Sequence, residues 1–216
     1  MFDTLAQPTV AGSAESRVLK NTYTLLSATL LFTAGVTWVT QDIVLSPLAY
    51  LASAIGGFAL LFAIMGLRNS AYGLLALFAF AGLEGLSLGQ IVRMYLHMPG
   101  GSDTVAGAAG LTALAFLSLS AYVHITRRDF SAWRGMLFVG LIVVVVASFV
   151  GIFVHSIAYQ MALSSVCALL FCGYILYDTS DIIHGGETNY IMASVRLYLD
   201  IINLFLSLLQ LLSRRD

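Results

Sequence analysis

Charge is what this chain lacks. Asp, Glu, Lys and Arg make up 10% of its 216 residues, against about 25% in a soluble domain. Hydrophobic residues make up 59%, and the mean hydropathy is +0.92. Such a chain cannot dress the surface of a soluble domain, so it reads as a polytopic membrane protein with most of its length in the bilayer. The net charge of −1 leaves no electrostatic footprint for nucleic acid. Cysteine is scarce too: Cys167 and Cys172 lie five apart in one apolar segment, off a common helical face. They read as small packing residues and exclude a disulfide framework or a zinc spacing. The histidines His97, His124, His155 and His184 fall near the ends of apolar segments, and neither H-E-x-x-H nor G-x-S-x-G occurs. His184 with Glu187 reads as a solvated turn rather than a metal site. Neither an enzyme nor a resident cofactor is expected.

What is present is a series of seven apolar stretches, each long enough to cross as a helix of about 20 residues. They run over Tyr23–Thr40, Leu48–Leu67, Ala71–Val92, Val105–His124, Met136–Val154, Ile157–Ile182 and Val195–Leu212. Short connections predict antiparallel packing of sequence neighbours. The fold class is an all-α membrane protein, a seven-transmembrane-helix bundle over 22–213. A polar N-terminal tail, residues 1–21, precedes it and a short C-terminal tail, 214–216, follows. The tail has no A-x-A cleavage signal, so the first span reads as an uncleaved anchor. A cytoplasmic N-terminus puts Arg17, Lys20, Arg68, Arg127, Arg128, Arg134 and Arg196 on that side and leaves Arg93, Arg214 and Arg215 opposite. The C-terminus is then expected outside. Arg214 and Arg215 keep open a re-entrant last segment with a cytoplasmic tail. Gly85 with Gly89, and Ala106 with Gly110, fit the small-xxx-small pattern of close helix contacts.

Against this background Asp178 and Asp200, inside the last two apolar segments, stand out. An ionisable side chain within a bilayer costs at least a few kcal/mol, so it needs a partner, water or a function. The two aspartates lie equally far from Asn189, in the polar connection between them. A helical hairpin would hold both carboxyls at about one depth, where they could share a proton or, ionised, hold a cation. Tyr174, Asp178 and Asp181 share a face on one helix, with Asp181 nearer the end and solvated. Arg196, Asp200, Asn203, Ser207 and Gln210 trace one stripe along the other, which should turn into the bundle. Arg68 or Arg196 could serve as charge partners, and Glu84, Asp181, Asn203, Ser207 and Gln210 could line a route. Two bland readings stay open: interhelical hydrogen-bond glue, and a permanently protonated structural pair. Glu84 is a third acid within a span; it lines the same cavity or bonds a neighbouring helix while protonated. An aspartyl-protease dyad also needs two carboxyls sharing a proton, but neither Tyr177-Asp178-Thr179 nor Leu199-Asp200-Ile201 has a glycine-rich flank.

Ile175-Leu-Tyr-Asp178-Thr, the loop from Ile182 to Ile191 with its His-Gly-Gly-Glu-Thr-Asn-Tyr, and Leu197-Tyr-Leu-Asp200-Ile-Ile-Asn-Leu-Phe205 together resemble the Bax inhibitor-1 family, in its bacterial YccA-like branch. Val18-Leu-Lys-Asn-Thr-Tyr23, Phe78-Ala-Phe80, Ser120-Ala-Tyr-Val123 and Thr126-Arg-Arg-Asp129 extend the resemblance along nearly the whole chain. Gly89-Gln90 stands where the family carries glycine-proline, and Glu84 where it carries an apolar residue. The resemblance implies a seven-helix bundle with the last helix enclosed by the others, in a bacterial inner membrane. It further implies a pH-sensitive calcium leak gated by an aspartate pair, here Asp178 and Asp200, with calcium as the transported ion. Alternatively it implies binding to, and restraint of, the membrane protease FtsH through a cytosolic tail, for which residues 1–21 are the candidate.

Overall fold

The computed structural model describes the backbone of residues 8–213 and the side chains of residues 16–213. Arg214 and Arg215, on which the sidedness of the C-terminus partly rests, lie outside the described residues. The described residues form seven long helices: α1 (Pro8–Thr40), α2 (Pro47–Leu67), α3 (Ala71–Leu96), α4 (Gly101–Thr126), α5 (Arg134–Gly151), α6 (Ile157–Ile183) and α7 (Tyr190–Leu212). A single 3-10 turn, Ser131–Trp133, leads into α5. All seven are long and apolar enough to cross a membrane.

The spans fall in the expected order, but several ends move. α1 begins at Pro8, so the backbone from there to Asn21 continues the first span as helix. α4 starts at Gly101, where the N–H of Thr104 is already bonded to the Gly100 carbonyl. α5 stops at Gly151, because the N–H groups of Ile152 and Phe153 bond back to Phe149 and Val150 in a tight turn. α7 starts five residues earlier than Val195, for a reason given by Asn189 below.

Contacts divide the chain into two compact units, one of residues up to Arg93 with Ile182–Tyr198, the other of Met94–Asp181 with residues from Leu199 onward. In the first unit α3 runs parallel to α1 at very close range. A Cβ on Gly85 would sit 2.8 Å from the Thr33 carbonyl oxygen, and one on Gly89 would sit 2.6 Å from Thr40 Oγ1. Only glycine permits that approach, and Thr33 and Thr37 use it to donate hydrogen bonds to the Ala81 and Gly85 carbonyls (both 3.0 Å). The small-residue pair in α3 is therefore a helix contact. The pair in α4 is not: Ala106 and Gly110 are exposed and nothing lies within 4 Å of a Cβ on Gly110. The buried small face of α4 is carried instead by Ala108 and Thr112.

Gln90 has a local task. Its amide donates to the Ile43 carbonyl (2.6 Å) and accepts from the Leu45 N–H (3.1 Å), clamping the α1–α2 connection to α3. In the second unit Phe171, Ile175 and Leu204 form a buried cluster joined by Phe116, Leu119, Leu141 and Leu208, which ties α4, α5, α6 and α7 together. Burial of such side chains contributes about 1.5–3 kcal/mol each when the reference is water; in lipid the gain comes from packing instead.

Candidate functional site

The second part of α7 packs antiparallel to α6. Ser164 Oγ donates to Gln210 Oε1 at 2.6 Å, Gln210 Nε2 donates weakly to Gln160 Oε1 at 3.4 Å, and Leu204 packs with Phe171 and Ile175. Continuing that register by one more turn brings Asp178 and Asp200 to the same level. Both are buried, 5% and 4% exposed. The Tyr174 phenol, one turn from Asp178, lies close enough to feel the charge of either carboxylate. Thr179, wholly buried, shares a long hydroxyl contact with Ser120 (3.4 Å), and Ser180 accepts the Phe130 N–H (3.0 Å) while donating to the Arg128 carbonyl (3.3 Å). Those bonds hold the basic α4–α5 connection against α6.

The stripe on α7 has a definite polarity. Asn203 Nδ2 donates to the Leu199 carbonyl (2.8 Å), and Ser207 Oγ donates to the Asn203 carbonyl (2.7 Å), both one turn back on the same helix. The one Ser207 hydrogen is so used, whereas the Asn203 amide keeps a second N–H; both side chains retain oxygen lone pairs. Together with two carboxylates this is an acceptor-rich line, which suits a hard cation rather than an anion. Asp181 is half-buried near the end of α6. Among the described residues no three His, Cys, Asp or Glu side chains come together as a metal site.

Other residues expected near the pair have their own settings in the first unit. Arg196 forms an ion pair with Glu187 (3.0 Å), and Arg68, exposed, caps α2. Glu84 is half-buried on α3, with its Oε1 near Gly57 of α2. Asn189, treated in the sequence only as a midpoint, proves central. Its Oδ1 accepts the N–H groups of Ile191 and Met192 (3.0 and 3.1 Å), the N-cap arrangement that starts α7 early. Its Nδ2 donates to the Arg68 carbonyl (3.0 Å) and to Asn69 Oδ1 (2.9 Å), tying the α6–α7 loop to the α2–α3 turn. Glu187 accepts the Asn189 N–H (2.9 Å), and Arg68, Asn69, Glu187, Thr188 and Asn189 line a polar cavity of about 320 Å³. Asn before an apolar run was the signal available for the cap; its second set of partners was not visible. Tyr198 was also missed. Thr33 spends its hydrogen on Ala81, so the Tyr198 hydroxyl is the donor in the 2.8 Å bond to Thr33.

Seven helices long and apolar enough to span, with two buried carboxyls within the last two, define a polytopic α-helical membrane protein with ionisable groups inside its spans. Residues 15–216 match the family model described as Inhibitor of apoptosis-promoting Bax1. The chain belongs to this Bax inhibitor-1 family. It is 47% identical over 198 residues to a membrane protein of Vibrio cholerae, covering 91% of this chain and 89% of that one. It is 42% identical over 196 residues to Modulator of FtsH protease YccA of Escherichia coli K12, and equally to the protein called Inner membrane protein YccA in a second Escherichia coli strain (91% and 89% covered in each case).

Proposed function

We infer that this protein is a pH-gated leak pathway for calcium across a bacterial inner membrane, controlled by the Asp178–Asp200 pair. The observation that supports this reading is the burial of both carboxyls on helices whose antiparallel register leads to one level, with the side-chain oxygens of Asn203 and Ser207 following on α7. When the pair holds one proton, a carboxyl–carboxylate hydrogen bond keeps the helices together and one negative charge remains. Loss of that proton removes the bond and adds repulsion between two charges in a medium that screens poorly. The titration belongs to the pair rather than to either residue. Helix positions then shift toward a conformation in which the acceptor line can pass a cation. Flux should therefore rise as pH rises. Gln210, bonded to Ser164, marks the far end of the route, and Asp181 adds a carboxyl near the end of α6.

In this reading α7 is the enclosed helix: none of its residues from Tyr190 to Leu212 is exposed, and it has the largest buried share of the seven spans. The N-terminal tail, residues 1–21, is cytosolic and the C-terminus periplasmic, on the distribution of arginine and lysine. Purified protein in liposomes loaded with a calcium indicator tests the activity. Calcium entry above that of empty liposomes, increasing with pH, is the expected result; equal entry with folded protein would end the leak reading.

A second role is favoured by the likeness to YccA, whose name makes it a modulator of FtsH. Restraint of FtsH would act through the tail and the helical surface. It predicts slower degradation of an FtsH substrate in proteoliposomes containing both proteins, an effect lost on deleting residues 1–21 and kept in Asp178→Asn.

A further inference from the structure

Glu84 sits in the middle of α3, thirteen residues from its start. In a helix rising 1.5 Å per residue that is about 20 Å from the end, close to the centre of a span. The α2–α3 seam that holds it is polar on one side only. Towards the α1–α2 connection it carries the Ser53–Ser87 hydroxyl pair (3.1 Å) and then Gln90. Ser53 donates to the Tyr50 carbonyl (2.7 Å), so Ser87 is the donor within the pair. Towards the other end the same antiparallel register brings Phe80, Leu77 and Ile64 into the seam, each 0–1% exposed. Between these regions the Glu84 carboxyl rests against α2 at Gly57, where even an added Cβ would lie 3.5 Å from Oε1.

No second carboxylate shares this seam, so a divalent cation finds too few oxygens there. An ionised carboxylate at this depth would be costly, whereas a protonated one is not. We propose that Glu84 is a second proton-binding site, distinct from the aspartate pair, loaded from the α1–α2 side of the membrane along Gln90 and the Ser53–Ser87 pair. The groups that could bias it are few. Tyr198 of α7 lies within electrostatic reach. Tyr50 stands seven residues before Gly57 on α2, about 10 Å away along the helix. Lys20 precedes Thr33 on α1 by about 20 Å, Arg93 follows on α3 by about 14 Å, and Asp42 is exposed in the α1–α2 connection.

A hydrophobic carbodiimide, which reacts with protonated carboxyls inside membranes, tests the site independently of any ion flux. The probe is dicyclohexylcarbodiimide, applied to membrane vesicles of known orientation whose two compartments are buffered separately, with the adduct located by peptide mass mapping. The expected adduct on Glu84 falls about tenfold per pH unit above its midpoint, follows the pH of the compartment facing the α1–α2 connection, and vanishes in Glu84→Gln. It persists when Asp178 and Asp200 are both replaced by Asn, which separates its fate from that of the leak. Absence of an adduct at every pH, or labelling that follows the opposite compartment, would overturn the proposal.

Discussion

The two stretches of α7 solve the same problem in different ways. Both must bury polar side chains within a span. Up to Tyr198 they do so mainly by binding other elements: Asn189 the α2–α3 turn, Arg196 Glu187 and Tyr198 Thr33, while Ser194 shares its hydrogen between the Tyr190 carbonyl of its own helix (2.7 Å) and the Thr22 carbonyl (3.1 Å). From Leu199 onward, Asn203 and Ser207 turn back on their own helix, while Gln210 reaches across to Ser164 on α6. Interhelical bonds fix a helix in place, whereas bonds within a helix leave it able to shift against its neighbours. The first stretch is an anchor. The second is the stretch that carries Asp200, and a gate belongs where the local bonding permits movement.

Substitutions can break this contrast. Asn189→Ala should have the largest effect on stability, about 1 kcal/mol for the lost cap and about 1 more for the lost bonds to the turn. A fall in thermal unfolding temperature in detergent, with the pH profile of flux unmoved, is the expected outcome. Tyr198→Phe removes one interhelical bond and should cost about 0.6 kcal/mol, at most about 1.7. Arg196→Gln opens a pair whose arginine is 37% exposed, so it should cost about 0.5 kcal/mol and less in high salt. Ser207→Ala, in the second stretch, should change stability by less than about 0.5 kcal/mol yet lower the flux, since it removes an oxygen from the acceptor line. If Ser207→Ala destabilised more than Tyr198→Phe, the contrast would fail.

The sequence made the seven spans legible because long apolar runs have no other stable home, and it made Asp178 and Asp200 conspicuous by the cost of burying them. It also showed Gly85 and Gly89 as a contact face. It did not show that Ala106 and Gly110 face outward, because a small-xxx-small spacing is satisfied on any face of a helix. The early start of α7 was hidden because Ser194 and Arg196 look unsuited to a span until their partners Thr22 and Glu187 are known. Ser164, Gln160 and Gln90 were likewise mute, each defined by a partner about 45–50 residues away in the chain.

The most direct test of the central claim is calcium flux across a pH series for wild type, Asp178→Asn, Asp200→Asn and the paired substitution, each verified as folded by its unfolding temperature. The account predicts a wild-type flux that rises with pH and a flattened profile in the paired variant, because no proton remains to be shared. A paired variant that keeps the wild-type profile would contradict it, and would move the pH sensor away from Asp178 and Asp200 altogether.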